Sequence, residues 1–215
     1  MPIDIHRFAK VRPYLYHLTA RGNVPYIQQD MVLKSSSTLY AEAGKDDLSR
    51  QVRRGPRQLN IGQRIVQLRD QDPLHVGKIT FHDGWTLETL VSHLDDHVFF
   101  WPGSEIGPVL SGRNHFARYV SERPIVLRVA TEQLVTENGG NNPLFCRYNS
   151  GAPRCTQGKG SPRGKAIFSR ADEFPLLSSN VVEVTFHMSV RLPISTQKAT
   201  SLTGPWEPLN YDGCK

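Results

Sequence analysis

Residues 180–190 read NVVEVTFHMSV, where Val182, Val184, Phe186 and Met188 alternate with Val181, Glu183, Thr185 and His187. A period of two marks a strand, and here both flanks are largely apolar with a single carboxylate set into one of them. A sheet must therefore form near the end of the chain with Glu183 built into it. Buried there, the carboxylate has to be paired or functional; on an edge strand it would face water. The residues alone leave both open.

Four further segments read as strands. YLYHLT (14–19) sets Tyr16 and Leu18 against Leu15, His17 and Thr19, and RIVQLRD (64–70) is half-buried and ends in Arg69. VFFW (98–101) is closed by Pro102-Gly103, and PIVLRVA (124–130) continues the sheet. Short helices fall between them. NVPYIQQD follows Gly22, with Asn23 as cap and Pro25 in the first turn. TLETLVSHLDD carries Leu87, Leu90, Val91 and Leu94 at helical spacing, and TEQLVTEN starts at Thr131 as N-cap. Strands and helices do not alternate regularly, so the pattern predicts an α+β fold rather than a doubly wound sheet. The 215 residues suit one domain spanning 1–215.

Charge adds a direction. With 26 Lys plus Arg against 20 Asp plus Glu, the net charge is +6, which favours an anionic partner without naming it. Arg50, Arg53, Arg54, Arg57, Arg64 and Arg69 form one basic stretch, expected as a solvated, partly helical loop. A second block, residues 138–171, holds Arg147, Arg154, Lys159, Arg163, Lys165 and Arg170 with no acid. The aromatics Phe145, Tyr148 and Phe168 interleave with it, a pattern suited to stacking on bases. The surrounding Gly-, Pro- and Ser-rich segment, 139–180, is too long to be a plain connection.

Several chemistries are excluded. No apolar run of bilayer length and no signal-peptide pattern exists, which predicts a cytoplasmic protein without a membrane partner. Cys146, Cys155 and Cys214 are odd in number and form no CxxC pair, so they read as plain thiols. HLDDH (93–97) lacks the Glu of a metalloprotease motif and reads as a solvated helix end, with no metal. GKGSPRG has no strand before it and a Pro where a helix should open, and no GxSxG elbow is present.

YHLT with Asn23 six residues after His17 resembles the opening H-[IL]-T-x-x-x-N motif of the DarT-type DNA ADP-ribosyltransferases, and VVEVTFHMSVRLPI resembles their catalytic strand. The middle is similar to a related bacterial group, through RDQDP at 69–73, VFFW at 98–101, NSG at 149–151, Arg163-Gly164 and VVEV at 181–184. The likeness covers most of 14–194, and the order of these short motifs carries it.

The resemblance implies an ADP-ribosyltransferase-like fold, two small antiparallel sheets around an NAD cleft with flanking helices. It implies a mono-ADP-ribosyltransferase using NAD as co-substrate and acting on a DNA or RNA base, as a bacterial toxin or anti-phage effector, with an antitoxin protein as a conceivable partner. Glu183 and Arg69 would be the catalytic pair. His17, Thr19 and Asn23 would hold the cofactor, with Tyr40, Phe100 or Trp101 against the nicotinamide ring. Segment 139–180 would be the substrate loop, with Arg147, Tyr148, Arg154 and Arg163 contacting the acceptor. Where DarT proteins carry a proline- and arginine-rich segment, this chain has PGSEIGPVLSGRN with only Arg113, so the acceptor stays open. A noncatalytic nucleic-acid-binding module, an NAD glycohydrolase, and a transferase acting on a protein or small molecule are the alternatives.

Overall fold

The computed structural model describes residues 2–210; Met1 and the segment containing Cys214 lie outside them. The N-terminal part runs α1 (Ile5–Val11), β1 (Tyr14–Thr19), α2 (Val24–Asp30), β2 (Val32–Lys34) and α3 (Ser36–Glu42). A hairpin of β3 (Arg57–Ile61) and β4 (Arg64–Leu68) follows, then β5 (Ile79–Phe81), α4 (Leu87–Asp95), β6 (His97–Ser104), β7 (Gly107–Pro108) and α5 (Leu110–Tyr119). The remainder comprises β8 (Ile125–Ala130), α6 (Thr131–Glu137), β9 (Leu144–Cys146), β10 (Ser161–Arg163), β11 (Glu183–His187), β12 (Ser189–Arg191), β13 (Gln197–Ala199) and β14 (Glu207–Pro208). The α+β class expected from the pattern is the class observed. No helix among the described residues is long and apolar enough to cross a membrane.

In place of two small sheets there is one large sheet, ordered β14-β13-β8-β1-β6-β11-β9 with β7 beside β6, and three two-stranded ribbons. The large sheet is stepped at β6. Its C-terminal half pairs with β1 from Tyr16↔Trp101 to Tyr14↔Gly103, and its N-terminal half pairs with β11 from Val184↔Phe100 to His187↔His97. Beyond Tyr16, β1 stays on β8 through Thr19↔Ile125 but leaves the β6 ladder. A gap opens where the two strands diverge, and α3, the β3–β4 hairpin and α5 wall it.

The alternation along these strands sorts side chains into core and cleft. Phe100, Val184 and Phe186 join Leu15, Leu127, Val129 and Phe145 in the main core, while Phe99, Trp101 and Glu183 point to the other side. A second cluster gathers Leu74, Leu90, Val91 and Leu94 around α4, and a third packs Tyr16, Leu18 and Trp101 beneath α5. Gly112 permits that last contact: a Cβ on it would lie 2.7 Å from the Trp101 side chain.

Several local expectations change. The 180–190 strand breaks at Met188, whose φ of 60° is left-handed, so that β12 turns away to pair with β2. Pro102-Gly103 do not close the VFFW strand, because β6 continues to Ser104 and carries β7 on its edge. Thr131 is not an N-cap: its hydroxyl donates to the Arg12 carbonyl at 2.5 Å and ties α6 to the end of α1. The first basic stretch is a hairpin rather than a solvated loop, and Arg53 is buried, donating from Nη1 to Asp95 Oδ2 at 2.6 Å and from Nε to the Arg69 carbonyl at 2.8 Å. His93 and His97 are not a solvated helix end but stack with Phe168 and each other, ring centroids 4.8–5.1 Å apart. Segment 139–180 is woven into the fold, β9 extending the sheet and β10 pairing in parallel with β5.

Candidate functional site

The gap beside β6 is a cavity of about 300 Å³, within the range that holds a small-molecule ligand. His17, Thr19, Asn23, Arg69, Trp101 and Glu183 all line it, although they come from segments more than 160 positions apart in the chain. Two chemically distinct positions line it.

Glu183 occupies the first. It opens β11, lies opposite Cys146 of β9, and is 2% exposed. Its Oε2 accepts from the Ser150 backbone N–H at 3.0 Å. Burial pushes the carboxyl up to about 7, against the opposing pull of Ser150 and the nearby Arg163 charge. The group therefore stands near half-ionised at neutral pH, a poise common among functional carboxylates.

Arg69 occupies the other, immediately beyond β4 rather than on it. Its guanidinium lies over the Tyr119 ring at 4.8 Å, and the nearest carboxylate oxygen, from Glu122, is 3.6 Å from Nε. Nε, Nη1 and Nη2 are all buried without a hydrogen-bond partner among the described residues. Unsatisfied buried donors are costly, and a planar fork of this kind matches a phosphate or carboxylate. Burial lowers the Arg69 pKa, yet the group remains a cation at physiological pH.

His17 bridges the step in the sheet, its Nδ1 donating to the Phe99 carbonyl at 2.9 Å. Burial holds its pKa down at about 4, and the Arg69 charge acts in the same direction. The ring is neutral above that pH, and with the proton on Nδ1 it offers Nε2 as an acceptor. Asn23 lines the cleft without capping α2. Its amide clamps the Gln67 backbone, accepting from the N–H and donating to the carbonyl at 2.9 Å each, which fixes the strand leading into Arg69.

Of the three aromatic candidates only Trp101 faces the cleft. Phe100 is in the main core, and Tyr40 is fully buried against Leu59 and Leu68, accepting from Arg57 through its hydroxyl. Phe99, one residue earlier on the alternating strand, takes the place assigned to Phe100. Arg163 is no acceptor contact either: it is 1% exposed, and its guanidinium is spent on neighbouring backbone. Tyr148 lies between the Arg147 and Arg163 guanidiniums, outside the cleft, while Arg147 and Arg154 are exposed.

Two residues of α5 that line the cleft escape sequence reading. These are His115 and Tyr119, His115 lying 4.3 Å from Trp101 and Tyr119 donating to Asp70 Oδ1 at 2.9 Å. Their signal is a helical face at Gly112, His115, Phe116 and Tyr119, spaced i, i+3, i+4 and i+7, which apolarity scoring misses because Gly and His do not count. Ser150, inside the NSG motif, contributes to the site through its backbone N–H rather than its side chain.

Fold and site together define a class: an α+β protein whose stepped sheet frames a cleft lined by a buried carboxylate and by a guanidinium that makes no hydrogen bond among the described residues. The chain belongs to DUF7002, a family of unknown function, whose model matches residues 13–194. Neither the curated proteins nor the solved structures contain a match to the chain.

Proposed function

We propose that this protein is an NAD-dependent mono-ADP-ribosyltransferase of the DarT-like kind, acting on a nucleic-acid base. The observation that carries the reading is the meeting of His17, Thr19, Arg69 and Glu183 in one cleft. NAD presents a cationic nicotinamide riboside at one end and a diphosphate further along, and its glycosidic bond breaks through an oxocarbenium-like transition state. The cleft matches that polarity. Glu183 in its ionised form stabilises positive charge at the anomeric carbon and accepts the acceptor's proton. Arg69 supplies the donors that a diphosphate needs, and the neutral His17 and Thr19 hydroxyl supply hydrogen bonds between them. Trp101 or Phe99 offers the apolar ring face for nicotinamide.

Support for a nucleic-acid acceptor comes from the exposed cations Arg147, Arg154, Lys159, Lys165 and Arg170, carried by the segment whose residues 149–152 line the cleft. Incubation with labelled NAD and separate pools of single-stranded DNA, RNA and protein tests the reading. Nicotinamide release with label on a nucleic-acid pool is the expected result. Free ADP-ribose alone indicates a glycohydrolase, and labelled protein moves the acceptor. No release from any pool, with Glu183→Gln indistinguishable from wild type, ends the proposal.

Two further outcomes follow. Arg69→Lys keeps the charge but loses the fork, and should weaken NAD binding roughly tenfold by calorimetry, about 1.4 kcal/mol, with the melting point little changed. Arg154→Glu combined with Lys159→Glu should weaken single-stranded oligonucleotide binding and flatten the dependence of log K on log salt by at least about 1.4, some 0.7 per lost phosphate contact. An unchanged salt slope would move the acceptor off this face.

A further inference from the structure

Arg163 is among the largest fully buried side chains of the protein, and every nitrogen of its guanidinium is engaged. Nε donates to the Ser150 carbonyl at 3.1 Å and Nη2 to the Asn149 carbonyl at 3.0 Å. Nη1 donates to Ser161 Oγ at 2.7 Å and to the Pro162 carbonyl at 2.8 Å, and the Tyr148 ring covers the group at 5.0 Å. A buried arginine usually answers a carboxylate; this one is turned onto a loop backbone. The loop it grips is the one whose next polar atom, the Ser150 N–H, meets Glu183 Oε2 at 3.0 Å.

We propose that Arg163 is a positioning residue that holds the 149–150 carbonyls, thereby fixes the Ser150 N–H on Glu183, and so keeps that carboxylate ionisable and aimed into the cleft. Two carbonyls drawn towards one cation polarise their peptide units, and the Ser150 amide is oriented towards Glu183 rather than towards solvent. The same cation sits behind the carboxylate and favours its charged form. The other titratable groups around Glu183 do not do this work. Cys146, opposite on β9, is kept a neutral thiol by burial and by Glu183 itself. His17 is neutral, the Arg53 charge is answered by Asp95, and Arg69 pairs with Glu122 at 3.6 Å. The inference rests on reading Glu183 as the catalytic carboxylate, but its test does not need activity.

Carbon-13 NMR of the Glu183 side-chain carboxyl, with amide spectra of Ser150, measures the coupling directly. In the wild-type protein the Ser150 amide proton should titrate with the midpoint of Glu183. In Arg163→Met the midpoint should rise by about one pH unit, a tenfold change in the ionisation equilibrium, with Arg163→Lys between the two. The pH dependence of nicotinamide release should move by the same amount while KM for NAD stays constant. A Ser150 amide blind to the Glu183 titration overturns the proposal even if the Arg163 variants fail to fold. So does a folded Arg163→Met whose midpoint stays at the wild-type value. If the coupling is present and no nicotinamide is released by any form, the positioning role stands and the transferase reading fails.

Discussion

Glu183→Gln is expected to lower nicotinamide release on the order of 10³-fold, the effect of removing one preorganised electrostatic contact from a transition state, while making the protein more stable at pH 8. The two effects share one cause. Because burial raises this carboxyl from 4.5 to about 7, the folded chain holds a proton that the unfolded chain has released at the pH values between. Stability therefore falls as pH rises across that window and stays low above it. Glutamine keeps the acceptor for the Ser150 N–H and carries no charge. Relative to wild type it should gain up to about 3 kcal/mol at pH 8, roughly 6–12 °C in melting point, and nothing at pH 4. Wild-type turnover should rise with pH through about 7 as the catalytic form appears. Parallel melting curves at pH 4 and 8 decide the matter: a Glu183→Gln variant no more stable than wild type at pH 8 means the carboxylate is better solvated than its burial implies.

The second large effect is structural. Asp95→Ala should destabilise the fold by about 3–5 kcal/mol, since it leaves the Arg53 guanidinium buried without its counter-ion. Asp95 is 2% exposed, receives Arg53 through Oδ2 and Gln71 through Oδ1, and joins α4 to the hairpin at the cleft wall. Arg53 also holds the Arg69 carbonyl, so the same substitution should loosen Arg69, and on the proposed reading NAD affinity should fall with stability. Replacing both partners, Arg53→Met with Asp95→Leu, should recover most of the stability. Denaturant midpoints for the single and double variants test this, and a loss below about 1 kcal/mol in Asp95→Ala would show that water reaches the pair.

The parts legible in the sequence are those whose signal is local. The strands around His17 and Glu183 announce themselves by period two, and α4 by four apolar residues at helical spacing. Arg69, His17 and Glu183 stand out as polar residues on or at the end of apolar strands, and their proposed roles come from the motifs that resemble the DarT-type family. What stayed hidden depends on partners far along the chain. Nothing local says that Arg53 meets Asp95, or that Arg163 faces inward, since a buried and a solvated arginine are the same letter. The choice between Phe99 and Phe100 turns on the phase of β6 in its ladders, which a run of four apolar residues cannot set. Likewise α5 is masked by Gly112, a poor helix former that is present because Trp101 lies 2.7 Å from where a Cβ would sit.

The step at β6 has a consequence for how a ligand is read. Past Tyr16, β1 keeps its ladder with β8 and has no strand partner on its other edge among the described residues. The His17 to Thr19 edge facing away from β8 is therefore an open sheet edge beside the cleft, and a ligand there is expected to bond its main-chain groups. Recognition through peptide groups cannot be deleted by changing side chains, so alanine scanning of this wall will understate its contribution. Slowed amide hydrogen exchange along residues 17–19 on ligand addition would register it instead.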